Sequence, residues 1–168
     1  MYVFIHFTEQ PSTTWDPDAK GPREVLFNLA HAPHIQTLSS PNQPDVLQLL
    51  TGDGYPLATP QVVGAKDFLN TAYDLSCRRD DDDTPLVFPF HHPTPEVALA
   101  PPTNIFDHIA SLSPAVLVMM RQEQGAKVTE VFHQLSPVPT YSSLTLDSIA
   151  KRLSRAGHAV LTLPQPDF

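Results

Sequence analysis

The sequence has few of the residues from which common functional sites are built. Its single cysteine, Cys77, excludes an intramolecular disulfide and any zinc site that needs several thiolates. Six glycines among 168 residues leave little material for glycine-rich loops that bind phosphates. No apolar run approaches the ~20 residues that a membrane-spanning helix requires. We therefore expect a protein of a reducing compartment, the cytoplasm, without a membrane segment.

Basic side chains are also few, with 10 Lys and Arg against 18 Asp and Glu and a formal net charge of −8. Affinity for nucleic acids depends largely on basic side chains that displace counterions from phosphates, so this composition disfavours a nucleic-acid partner. The acids are concentrated in residues 1–114, which hold 14 acids and 5 bases. An acidic surface favours a protein partner with a basic surface.

Proline is the residue present in excess, at 19 of 168 positions against the ~5% that is usual. Because proline lacks a backbone N–H and has a fixed φ, packed domains place it at helix starts, sheet edges and turns. The hydrophobic content of 41% is too high for a disordered chain. We expect one domain over residues 1–168, ending in a short proline-containing tail at 164–168.

Short apolar runs predict the strands. Residues 2–7 form a β-branched and aromatic run typical of a strand buried on both faces. Two further runs, 115–121 and 127–135, flank a glycine-containing loop and predict an antiparallel hairpin. Other predicted strands cover 34–38, 86–90 and 159–163, and Pro89 suggests a sheet edge for the second of these.

Apolar residues that recur at steps of three and four predict the helices. A long helix is expected over 61–76 after Thr59 and Pro60, and Thr145 should cap a final helix over 146–156 that Gly157 ends. Three further helices are predicted at 22–32, at 45–50, and after Thr103 with Ile105, Ile109 and Leu112 on one face. The order of elements predicts a single-domain α/β fold with a mixed sheet of about five or six strands, helices on both faces and one β-hairpin in the C-terminal third.

Candidate site residues follow from the rule that ligands of open α/β sheets gather beyond the carboxyl ends of the strands. If the protein is an enzyme, the catalytic candidates are Glu9, His91 and His92. The candidate ligand-binding residues are Thr8, Ser39, Ser40, Arg121 and Glu123. No metal site is predicted, because the side chains of adjacent residues on extended backbone, such as His91 and His92, point in opposite directions.

The missing catalytic motifs, the few glycines and the acidic front section favour a noncatalytic accessory or adaptor domain that binds a protein partner. Asp167 and Phe168 at the end of the chain are candidate partner contacts. One alternative is a small metal-dependent hydrolase acting on a phosphoester, and a divalent metal is expected as cofactor only in that case. The other is a small-ligand sensor on the same scaffold, which requires an apolar pocket with few titrating groups. The sequence predicts no particular oligomeric state.

Overall fold

A computed structural model of the chain describes residues 1–10, 21–77, 86–91 and 109–167, with backbone alone at 86–91 and 109–111. These residues form twelve β-strands and two α-helices. The helices are α1 (Ala65–Ser76) and α2 (Leu146–Arg155), and short 3₁₀ turns cover Leu29–His31 and Pro114–Val116. The strands are β1 (Val3–Glu9), β2 (Arg23–Asn28), β3 (His34–Leu38), β4 (Asp45–Leu50), β5 (Pro56–Ala58), β6 (Gln61–Val62), β7 (Leu86–His91), β8 (Ile109–Leu112), β9 (Leu117–Glu123), β10 (Thr129–His133), β11 (Thr140–Ser142) and β12 (Ala159–Thr162).

The strands are arranged in a main sheet and a smaller second sheet. Six strands form the body of the main sheet in the order β12-β1-β2-β9-β10-β11, and β7 and β8 extend it beyond β11. The pair β1–β12 is parallel and the other pairs are antiparallel, so the mixed sheet that the sequence predicts is confirmed. The small sheet has the order β3-β4-β5, with β6 also paired to β4. The sequence did not predict this second sheet.

Two of the predicted helices are strands. Residues 22–32 form β2 and a 3₁₀ turn, because β1 and β9 pair with the two edges of β2. The side chains of Val25, Leu26 and Phe27 are buried on the two faces of the sheet. Residues 45–50 form β4, which pairs with β3, β5 and β6 and is the centre of the small sheet. The consecutive apolar run of β2 fits a strand that is covered on both faces.

Two other helix predictions also need correction, one at its start and one over its last residues. The helix predicted over 61–76 begins at Ala65, because Gln61 and Val62 pair with β4 and Gly64 takes a left-handed conformation with φ 66°. Of the helix predicted after Thr103, residues 103–108 lie outside the described residues and Ile109–Leu112 form a strand instead. β7 is not an edge strand, since β11 and β8 flank it. Pro89 is tolerated because β11 pairs only with Phe90 and His91, so the ladder runs past Pro89 on one side alone.

Several predictions from local sequence are confirmed. α2 begins where the Thr145 hydroxyl accepts a hydrogen bond from the amide of Ser148 at 3.2 Å, and the chain leaves it at Gly157 with φ 91°. The β9–β10 hairpin is antiparallel, and the first and last predicted strands are β1 and β12. The strand predicted at 34–38 also forms, but it is β3 of the small sheet.

The alternation of side chains along β1 and β2 divides the core into two clusters. Phe4 and Leu26 pack with Met120 of β9 and with Leu146, Ile149 and Leu153 of α2. Ile5, Phe7, Val25 and Phe27 pack on the other side with the small sheet and with Ala65 and Phe68 of α1. Within the part of the chain that is described, no helix combines the length and the apolar character needed to cross a membrane.

Candidate functional site

Four of the predicted site residues meet at one end of the main sheet. β1 and β9 are both antiparallel to β2, so they run in the same direction and their carboxyl ends coincide. The register places Glu9 beside Arg23 and Arg23 beside Glu123, in one row across three strands. Thr8 lies one row further in and Arg121 two rows further in. The fold therefore brings together, at one end of the main sheet, four candidate residues from distant parts of the sequence.

At this end of the sheet, two arginine side chains are paired with carboxylates of neighbouring strands. Glu9 and Arg23 are 5% and 2% exposed, and the Arg23 guanidinium donates to the Glu9 carboxylate. A buried charge is tolerable only when it is paired and hydrogen-bonded in this way. Arg121 lies 3.3 Å from the Glu130 carboxylate, and its guanidinium stacks over the Phe132 ring at 4.6 Å from the centroid. Both pairs join neighbouring strands.

Thr8 points to the opposite face of the sheet from Glu9, because successive side chains of a strand alternate. The Thr8 hydroxyl donates to the Glu24 carboxylate at 2.8 Å, and the other oxygen of Glu24 lies 2.5 Å from His6 Nε2. This polar group is on the α2 side, whereas Glu9, Arg121 and Glu123 are on the side of the small sheet. The four residues share an end of the sheet but not a cleft.

The other predicted residues do not join this end. Ser39 and Ser40 are exposed and follow β3, in the small sheet. His91 ends β7, where only backbone is described, and His92 and Phe168 lie outside the described residues. Asp167 is exposed in the tail. Across the described ranges, no three His, Cys, Asp or Glu side chains are grouped to hold a metal ion, and the hydrolase alternative stays a prediction.

A site that the sequence did not predict lies between β3 and α1. A cavity of about 610 Å³ opens there, within the ~300–1,000 Å³ usual for ligand pockets. A second cavity of about 540 Å³ continues it towards the start of α1, and Leu69 lines both. We call the two together the β3–α1 groove. Its apolar half is lined by residues that include Val3, Ala30, Ile35, Ala72, Tyr73 and Ser76, and its polar half by Thr37, Asp45, Lys66 and Asn70.

Strand register explains the strand side of the groove. Ile35 pairs with Leu49 and Thr37 with Leu47, so all four side chains lie on one face of the small sheet. Leu47 and Leu49 are fully buried against the main sheet and α1, whereas Ile35 is half-buried and Thr37 is exposed. β3 therefore extends past the covered part of this face.

The helix side of the groove comes from a second stripe on α1. Ala65, Phe68 and Ala72 are buried in the core, and Leu69, Tyr73 and Ser76 follow one another at steps of four and three on the adjacent side. Tyr73 is 69% exposed despite its large ring. A hydrogen bond with Cys77 is the main cause that raises the pKa of Tyr73.

The backbone of β3 also has free hydrogen-bonding groups along the groove. The amide of Leu47 donates to the carbonyl of Pro60 at 2.8 Å, so it points away from β3. In an antiparallel ladder the N–H and C=O of one residue point to the same side, so the carbonyl of Leu47 also points away from β3. Thr37 and Leu47 are therefore a non-hydrogen-bonded pair. By the same alternation, Ile35 and Thr37 direct both backbone groups to the outer edge of β3. In the described part of the chain, β3 pairs with β4 alone.

Sequence reasoning missed this groove because each of its walls looks ordinary alone. The available signal was the second stripe of α1, since Leu69 and Tyr73 widen its apolar arc beyond the face that one core contact needs. No signal in the sequence showed that β3 would stand beside it. Comparisons with protein-family models, with curated proteins and with solved structures found no match to this chain.

Proposed function

We propose that the chain is a noncatalytic accessory or adaptor domain that binds a protein partner through the β3–α1 groove. The observation that carries this proposal is the combination, in one place, of an apolar cleft and a strand edge whose outward backbone groups no described strand pairs with. Exposed apolar surface of this kind marks interaction sites in folded proteins. Tyr73 at the rim is the type of residue that most often contributes binding energy at interfaces.

The chemistry of the groove supports binding without catalysis. The described side chains that line it include no His, Cys or Glu, and the two charged ones among them, Asp45 and Lys66, lie in the polar half. General acid–base and nucleophilic catalysis both need a titrating group held beside a second polar group. Apart from Asp45, Lys66 and the Tyr73 phenol, the described lining offers apolar contact area and neutral hydrogen-bonding groups, which suit recognition of another chain.

The test compares two groove variants with a matched control. Ile35→Asp puts a charge into the apolar half, and Tyr73→Ala removes the exposed ring. Tyr55→Ala is the control, because Tyr55 is 71% exposed and lies outside the groove lining. Circular dichroism must show that all three variants are folded before binding is compared.

We expect a stoichiometric partner to be purified from source cells with immobilised wild type and Tyr55→Ala. The two groove variants should lose it, and the purified partner should reproduce this pattern by calorimetry. Retention of the partner by both groove variants would place binding elsewhere on the domain. Absence of a stoichiometric partner with any form would contradict the adaptor function itself.

The size of the apolar half favours a second candidate, the small-ligand sensor. About 610 Å³ and a mainly apolar lining fit a drug-sized apolar molecule. Ala30 is exposed and lines this half, so Ala30→Trp should fill it without disturbing the core. A sensor predicts that neutral apolar compounds raise the melting temperature of wild type but not that of Ala30→Trp. Equal shifts in both proteins would contradict it.

A further inference from the structure

We infer that the partner contributes an extended segment that adds to the small sheet as a new strand beside β3, with alternate apolar side chains in the groove and basic residues at its ends. This inference rests on the proposed function and adds the mode of recognition and the chemistry of the partner. Strand addition to an exposed sheet edge is a recurrent way to bind extended peptides. Backbone hydrogen bonds supply affinity in this mode, and side-chain pockets supply specificity.

Among the residues that the structure describes, none pairs with the outer edge of β3, which is therefore open to an added strand. Ile35 and Thr37 each direct an N–H and a C=O outward, which gives an added strand four hydrogen-bonding groups. Edge strands are usually protected by lysine, proline or a bulge. The five residues of β3 include none of these, and the ladder with β4 is regular along its whole length. At about 3.4 Å per residue, β3 presents roughly 17 Å of edge.

The groove matches the side chains of such a strand. A strand added to β3 continues the pleat, so every second side chain falls on the face that carries Ile35 and Thr37. These side chains would enter the groove and contact Leu69 and Tyr73 on α1. The groove runs along α1 from Lys66 to Ser76, which is about 15 Å at 1.5 Å per residue. This length corresponds to four or five extended residues.

Charge complementarity selects the ends of the segment and its source. Residues 34–77 contain Lys66 as their one base, against four acids, Asp45, Asp53, Asp67 and Asp74. Asp45 lies in the polar half of the groove, and the other three are exposed. A second copy of this chain, paired edge to edge through β3, would bring two acidic surfaces together. A foreign segment with basic flanks instead meets charges of opposite sign.

The probe is a synthetic pool of nine-residue peptides in which apolar residues alternate with threonine between terminal lysines. A matched pool has the same composition with the apolar residues adjacent, and a second matched pool carries terminal glutamates. Binding to the full chain is followed by amide spectra and amide exchange. The tightest peptide is then resynthesised with N-methyl groups on the alternate residues that would face β3.

We expect the alternating basic pool to bind best, and its tightest peptide to slow amide exchange at Ile35 and Thr37. Exchange at Gln36 should change little, because its amide already faces β4. N-methylation removes two backbone hydrogen bonds and should weaken binding about 30-fold. Ile35→Asp should abolish binding, whereas Tyr55→Ala should leave it unchanged.

Three results would overturn strand addition. The first is that neither basic pool binds, or that both bind equally. The second is binding that N-methylation does not weaken, which would mean recognition by side chains alone. The third is a dimer in sedimentation with Ile35 and Thr37 already protected, which would mean that a second copy occupies the edge. All three leave the partner capture by wild type and its loss in Tyr73→Ala unaffected, so failure of the inference is distinct from failure of the proposed function.

Discussion

The side chain of Gln165 joins the carboxyl-terminal tail to both sheets. Its carbonyl oxygen accepts from the amide of Thr8 at 2.7 Å, and its Nε2 donates to the carbonyls of Thr8 at 2.9 Å and of Gln61 at 3.2 Å. Thr8 belongs to β1 of the main sheet and Gln61 to β6 of the small sheet. The backbone beside it adds a further link, since the amide of Val63 donates to the carbonyl of Pro164 at 2.8 Å. We therefore predict that Gln165→Ala destabilises the whole domain rather than the tail alone.

The size of the effect follows from these three hydrogen bonds. A neutral hydrogen bond contributes a net ~1 kcal/mol, and a buried group left without its partner costs more. Gln165 is half-buried, so water can reach part of the vacated space and offset some of the loss. We expect Gln165→Ala to lower the free energy of unfolding by about 2 kcal/mol. Gln165→Glu keeps the acceptor but removes both donors, and should cost a similar amount at neutral pH.

Urea unfolding followed by circular dichroism measures both variants. Gln124→Ala is the matched control, because Gln124 is exposed and its side chain makes no hydrogen bond with the described residues. It should change stability by less than about 0.5 kcal/mol. If Gln165→Ala also falls within that limit, the tail does not connect the two sheets energetically and the reasoning is refuted.

Three further predictions concern single side chains. Glu9→Gln leaves the Arg23 guanidinium buried without its carboxylate and should cost about 3 kcal/mol or more in urea unfolding; a loss below 1 kcal/mol would contradict this. Gly157→Ala should lower the free energy of unfolding by about 1 kcal/mol, and because the added Cβ meets no atom, the whole cost comes from the φ of 91°. Gly21→Ala, with equal space and no left-handed φ, should cost less. Burial lowers the pKa of His133, so the unfolded chain binds its proton more readily and stability should fall as pH drops below ~6.5. His133→Gln should reduce that fall, and an unchanged pH profile would exclude the effect.

The parts of the fold that could be predicted are those fixed by neighbouring residues. The start of α2 depends on Thr145 and Ser148, three positions apart, and its end on the glycine at 157. The β9–β10 hairpin depends on a short loop between two apolar runs. In each case the residues that determine the structure lie within a few positions of one another, so the sequence shows them directly.

The errors occurred where distant strands decide the structure. Val25, Leu26 and Phe27 are three adjacent apolar residues, a pattern that fits a buried helix and a doubly covered strand equally well. The choice was made by β1 and β9, the second of which begins 90 residues later in the sequence at Leu117. The short run of β4 was ambiguous for the same reason. Its three partner strands, β3, β5 and β6, could not be identified from the run itself.

The candidate site shows the same division. The strand-end rule selected Thr8, Glu9, Arg121 and Glu123, which lie at one end of the main sheet, and their role as site residues stays a prediction. It could not show which face each side chain takes, because a slip of one residue in register reverses every side chain of a strand. The β3–α1 groove was beyond reach, since it requires the position of β3 at the edge of a sheet that only the structure shows.

Polar groups in the two places differ in how far the fold satisfies them. At the end of the main sheet, Glu9 and Arg23 are nearly inaccessible and bound to each other, so a ligand would have to break a buried ion pair to reach either charge. At the groove, the backbone groups of Ile35 and Thr37 face outward, and within the described ranges no other strand pairs with them. Glu9 and Arg23 attract attention in the sequence because they are charged, yet they bind each other within the fold. Residues without charge provide the accessible surface, which is why binding is expected at β3.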